Sequence, residues 1–120
     1  MALTNIRFRV CCLGKIKDLH FRQLVQHYVT QLHKYAFVEV REINPHALSG
    51  IFTDRRRPFS ISLDERGQSL DSRQFSQQLM KVALDRKNID FFIGSDAGFP
   101  AEMAGRCEKS WALSPLTFNH

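Results

Sequence analysis

Apolar and polar positions alternate from Ile6 to Val10, with Ile6, Phe8 and Val10 set against Arg7 and Arg9. The chain then turns wholly apolar at Cys11, Cys12 and Leu13. A period of two predicts a strand, and its apolar second half predicts cover on both faces. Gly14 ends the strand, and Asp18 is placed to cap a helix. Phe21, Leu24, Val25, Tyr28, Val29, Leu32 and Tyr35 then fall on one stripe at helical spacing, the clearest helix in the chain. That stripe reads as core.

Alternation returns over residues 37–43 and stops at Asn44-Pro45, so a second strand is expected, half buried and near an edge. Residues 46–58 read as an irregular connection. Residues 59–63 alternate as a third strand, and Asp64-Glu65-Arg66-Gly67 turns out of it. Asp71-Ser72 opens a second amphipathic helix through Phe75, Leu79, Val82 and Ala83, which Asn88 closes. An apolar strand ending at Ile93 runs into the turn Gly94-Ser95-Asp96-Ala97-Gly98. A helical segment is expected near residues 100–107, then a fifth strand over residues 111–113.

Helices between largely apolar strands predict an α/β fold, a mostly parallel sheet with helices on both faces, in a single domain over residues 1–120. Ligands of such sheets sit beyond the carboxyl ends of the strands. Three junctions compete for that place: Leu63-Asp64, Gly94 to Gly98, and Leu113 to Phe118. The glycine turn suits close backbone approach by a ligand. Dinucleotide and P-loop glycine motifs, a serine elbow and a recognisable carboxylate pair are absent.

Composition narrows the class a little. The hydrophobic fraction of 43% is ordinary for a globular chain. No apolar run reaches membrane-spanning length and no signal-peptide pattern is present, so a cytoplasmic protein is expected. Cys11, Cys12 and Cys107 lack zinc spacing and read as buried thiols, with no metal expected. The net charge of +5 favours polyanionic partners, and Arg55, Arg56 and Arg57 concentrate it in one connection. A solvated loop and a phosphate contact both fit that run.

Three stretches together resemble the bacterial SPOUT methyltransferases of the RlmH type. They are Ile61-Ser62-Leu63-Asp64-Glu65-Arg66-Gly67, Phe92-Ile93-Gly94-Ser95-Asp96-Ala97-Gly98-Phe99, and Leu113-Ser114-Pro115-Leu116-Thr117-Phe118-Asn119-His120. Gly14-Lys15-Ile16-Lys17-Asp18 and Tyr35-Ala36-Phe37-Val38-Glu39-Val40 are similar to that family's opening. The resemblance covers nearly the whole chain in the right order. It implies an α/β knot, a homodimer, and S-adenosylmethionine as methyl donor. It further implies transfer to N3 of a pseudouridine in 23S ribosomal RNA, within the assembled ribosome.

By matching position, the implied cofactor contacts are Leu63, Gly94, Leu113, Ser114, Pro115, Leu116, Thr117 and Phe118. The catalytic base stays open, with His120 at the family's histidine position. The chain departs from the family at Ser95, where a second glycine is usual, and at Asn119, where proline is usual. The connection after Asn44 is short, missing a helical stretch common in the family. The family's terminal helix is also expected to be missing after His120. That last departure keeps a second reading in play, an inactive relative that binds RNA or a protein partner.

Overall fold

The structure is a computed structural model that describes residues 5–14, 19–94, 99–100, 103 and 105–113. Five strands form one sheet: β1 (Arg7–Leu13), β2 (Phe37–Ile43), β3 (Phe59–Leu70), β4 (Asn88–Ile93) and β5 (Lys109–Leu113). Three α-helices join them among the described residues: α1 (Leu19–His33), α2 (Leu48–Thr53) and α3 (Ser72–Arg86). The strand order is β2-β1-β4-β3-β5 and every pairing is parallel. The expected parallel α/β sheet is therefore present. The knot that the resemblance implies involves the chain after Leu113, which lies outside the described residues.

Handedness decides which face each connection covers. The chain steps one way from β1 to β2 and from β3 to β4, and the opposite way from β2 to β3 and from β4 to β5. Right-handed crossovers then put the two kinds of connection on opposite faces. The packing follows this rule. Val25, Tyr28, Val29 and Leu32 of α1 share one core with Phe75, Leu79 and Ala83 of α3, over Phe8, Val10, Ile61, Phe91 and Trp111. Leu48 of α2 and Met103 meet Cys11, Leu13 and Phe92 on the other face, with Ile51, Phe52, Phe99 and Cys107 alongside.

α1 carries its predicted stripe, although Asp18 and the side chains of Phe21 and Leu24 are outside the described residues. α3 begins where its start signal lies. Asp71 accepts the Gln74 backbone N–H at 2.8 Å while the Gln74 side chain accepts from Asp71, a complete capping box. The helix is closed by Lys87 at a φ of 69° rather than by Asn88, which already belongs to β4.

The connection after Asn44 is not irregular throughout. Asn44 accepts from the His46 N–H at 3.0 Å and opens a 3-10 turn at Pro45–Ala47, which continues into α2. Leu48, Ile51 and Phe52 recur at the i, i+3, i+4 spacing of one helix face, a stripe too short to stand out in the sequence. Of the helical segment expected near residues 100–107, residues 101, 102 and 104 lie outside the described residues, and Met103 is in a 3-10 turn. Met103 N–H bonds Pro100 O, Arg106 N–H bonds Met103 O, and Gly105 sits at a φ of 71°, which stops helical continuation.

β3 also differs from expectation. It pairs with β5 through Leu63, lets residues 64–67 leave the ladder, and resumes at Gln68. Trp111 thereby stands opposite both Leu63 and Gln68.

α2 is only six residues long, so it covers only the carboxyl half of its face. Over the other half, Arg9 of β1 and Asp90 of β4 are direct register partners. The Arg9 guanidinium donates from Nε and from one Nη to the two Asp90 carboxylate oxygens, both at 2.6 Å. The Asp90 side chain is 2% exposed and that of Arg9 32%. The bond to Asp90 holds the Arg9 pKa above its ordinary value, although burial opposes it.

Replacing Arg9 by Met strips a buried carboxylate of its partner. The expected cost is about 2–3 kcal/mol, below the full buried-pair range because Arg9 is partly solvated. Adding Asp90→Leu to Arg9→Met should recover most of the loss in urea unfolding. A double variant as unstable as the single one would show that packing, rather than the orphaned charge, sets the cost.

Candidate functional site

The turn after β4 is singled out by the topology. Both neighbours of β4, β1 and β3, send their chains to the α1/α3 face, whereas β4 sends its chain to the opposite face. Adjacent connections that leave to opposite sides open a crevice at the carboxyl ends of their strands. Gly94 stands at that point, buried, one residue beyond Ile93. Ile93 is in register with Cys12 on one side and with Leu63 on the other.

Leu63 and Gly94 therefore lie side by side where the β3–β4 ladder stops, although β3 itself runs on to Leu70 rather than ending at Leu63. Leu113 ends β5 at the same side of the sheet, in register with Leu70. Ser114, Pro115, Leu116, Thr117 and Phe118 lie outside the described residues, as does His120. The side chain of Leu63 belongs to the α1/α3 core, so main-chain groups are what Leu63 can offer there.

Residues 64–67 form the rim beside this junction. Asp64 accepts the Arg66 backbone N–H and a guanidinium N–H, both at 3.1 Å. Partial burial works against the Asp64 carboxylate, but the bonds from Arg66 outweigh it and hold the pKa below the usual range. The carboxylate is thus anionic at neutral pH and is engaged as an acceptor. Gly67 presses against β5, and a Cβ there would meet the Ser110 carbonyl carbon at 2.5 Å. Neither Arg66 nor Gly67 stood out from the sequence by pattern. The short Asp-x-Arg-Gly run between alternating residues was the only signal.

Other chemistry is scarce nearby. Burial pushes the Cys11 and Cys107 thiols up to about 12 and the Cys12 thiol to about 11. All three are free and protonated at neutral pH, so none is an activated nucleophile. Among the described residues there is no group of three His, Cys, Asp or Glu able to hold a metal ion. No helix among the described residues is long and apolar enough to cross a membrane.

Of the three consecutive arginines, Arg57 is structural. It bonds the Ser60 hydroxyl at 3.0 Å and pairs with Glu108 at 2.8 Å, while Glu108 also accepts the Ser60 N–H at 2.7 Å. This network ties the start of β3 to the approach of β5. Arg55 and Arg56 are exposed.

Comparison with known proteins agrees with this arrangement. A family model described as predicted SPOUT methyltransferase matches residues 6–120. A protein of Synechococcus sp. (strain CC9311) is 32% identical over 116 residues, covering 95% of this chain and 79% of its own length. One from Trichlorobacter lovleyi is 30% identical over 128 residues, with 96% and 84% covered. One from Solibacter usitatus is 29% identical over 108 residues, with 90% and 77% covered. Each of these relatives is named ribosomal RNA large subunit methyltransferase H.

Proposed function

The chain belongs to the SPOUT methyltransferase family, and from that premise we propose that it methylates 23S ribosomal RNA with S-adenosylmethionine as donor. The acceptor in this reading is N3 of a pseudouridine, and the enzyme works on the ribosome as a cytoplasmic homodimer. The observation that carries the donor site is the glycine-ended β4, set between two strands whose chains leave on the other face.

The residues present suit the donor. Gly94 is buried and has no side chain to hold a ligand off the backbone. Leu63 contributes main-chain groups, because its side chain is committed to the core. Leu113 leads from β5 into Ser114, Pro115, Leu116, Thr117 and Phe118, which the reading assigns to the same ligand.

S-adenosylmethionine supplies a methyl group on a sulfonium, ready for direct transfer. The chain's task is then to hold the acceptor nitrogen in line, and positioning of that kind accounts for much of a rate enhancement. No covalent enzyme intermediate is needed, in keeping with three thiols held protonated. N3 must also lose its proton, to a base this reading leaves unassigned or to solvent.

Calorimetric titration with S-adenosylmethionine tests the site. Binding in the micromolar range is expected for the parent chain and none for Gly94→Val, whose side chain would fill the crevice. Ribosomes lacking the modification should then accept a labelled methyl group from the parent alone. A folded parent that binds no donor would refute the enzymatic reading and leave an RNA- or partner-binding relative in its place.

A further inference from the structure

The half-face that α2 leaves uncovered holds a cavity of about 300 Å³ at the amino ends of the strands, bounded by Arg7, Arg9, Phe37, Arg41, Pro58 and Asp90. We propose that this cavity is a second RNA contact, taking one unpaired nucleotide with its base against Phe37 and its phosphate on Arg7. The inference rests on the reading of the chain as an RNA methyltransferase, and it concerns a surface remote from the donor site. β1 alone separates the two ends by roughly 20 Å, at about 3.3 Å per residue.

Three observations converge. Phe37 is 67% exposed, an unusual condition for an aromatic ring on a strand. A bare aromatic ring beside guanidinium groups is the arrangement by which proteins stack single-stranded bases and neutralise their phosphates.

The second observation is charge. Asp90 is taken up by Arg9, and Glu39 by Arg41, so the acids lining the cavity are already paired. Arg7 has no ion-pair partner among the described residues, which leaves a free cation at the rim. Pro58 brings the loop carrying exposed Arg55 and Arg56 to the cavity wall, and Lys87 directly precedes Asn88 on its lining.

Size is the third. Ligand cavities run from roughly 300 to 1,000 Å³, and the lower end of that range suits a single nucleotide rather than a longer run. A second copy of this chain is a poorer occupant, because a two-fold contact would set Arg7, Arg55 and Arg56 against their own images.

The test is fluorescence anisotropy of the full chain with a labelled single-stranded RNA dodecamer of mixed sequence, titrated at several salt concentrations. Phe37→Ala should weaken binding roughly 5- to 150-fold, the range for losing one stacked base. Arg7→Ala should weaken it and lower the salt slope by about 0.7, the value of one phosphate contact on a single strand. Both side chains are surface features, so circular dichroism and S-adenosylmethionine affinity should match the parent.

Parent affinity and parent salt slope in both folded variants would overturn the proposal, as would a parent that binds no RNA. A change of oligomeric state in Phe37→Ala with unchanged RNA affinity would also overturn it, making the occupant a second copy. Loss of donor binding in the parent with the RNA effects intact would instead refute the donor site and leave this inference standing.

Discussion

Trp111→Ala removes so much buried surface that the chain is expected to lose a large share of its net stability. Trp111 is fully buried and packs edge-on against Phe75 at 5.8 Å between ring centroids. It stands opposite both Leu63 and Gln68, so it bridges the two stretches of β3 around their excursion. Truncating a buried Trp to Ala costs about 3–5 kcal/mol, against a total of roughly 5–15 kcal/mol for a domain. Urea unfolding should therefore show a much lower midpoint at an unchanged slope.

Phenylalanine at the same place should behave differently. The indole Nε1 of Trp111 is buried without a hydrogen-bond partner among the described residues, a defect worth about 1–3 kcal/mol. Trp111→Phe removes that orphaned donor while keeping a ring against Phe75. Its cost should be less than half that of Trp111→Ala. Equal losses in the two variants would mean that the indole N–H is satisfied in solution.

The second large effect is expected at Gly67. A Cβ added there would lie 2.5 Å from the Ser110 carbonyl carbon, 2.6 Å from its oxygen and 2.7 Å from its Oγ. Two of these three atoms are backbone and cannot rotate away, so β5 must move off β3. Gly67→Ala should cost about 2–3 kcal/mol, near the top of the range for overpacking. It should also weaken S-adenosylmethionine binding, because β5 carries Leu113 to the proposed site.

Two controls sharpen the result. Adding Ser110→Gly removes only the Oγ clash and should not restore stability. Gly50→Ala in α2 meets no atom within 4 Å and should be neutral or stabilising by about 0.4–1 kcal/mol. A Gly67→Ala variant as stable as the Gly50→Ala one would show that the close approach of β3 to β5 does not persist in solution.

These contrasts also show what the sequence could reveal. Period-two alternation, short apolar runs and helical stripes located all five strands and both long helices, because these patterns show within a single stretch of sequence. α2 escaped because its stripe is only Leu48, Ile51 and Phe52. The continuation of β3 past Leu63 escaped for another reason: Asp64-Glu65-Arg66-Gly67 has the composition of a turn. Only the partner strand, absent from local pattern, pulls the chain back into register at Gln68.

The placing of Gly94 and Leu113 after strands was legible because strand ends can be read from where apolar runs stop. Leu63 proved to be the last residue of the β3–β4 ladder rather than the end of β3. That β4 sends its chain to the face opposite to that taken by both its neighbours follows from strand order, which a linear pattern does not contain. The Arg9–Asp90 pair had a visible trace, two arginines in β1 and a single acid in the largely apolar β4. Their register, and hence their partnership, did not.

The setting of Gly94 between β1 and β3 has a consequence for how the site comes apart. Its flanking groups are brought together by three separate crossovers, and no local segment contains more than one of them. A ligand there binds the intact sheet and nothing smaller, so its binding free energy adds to the cooperative stability of the whole chain. Amides of β1, β3 and β4, far from any ligand contact, should then slow their hydrogen exchange together when the crevice is filled.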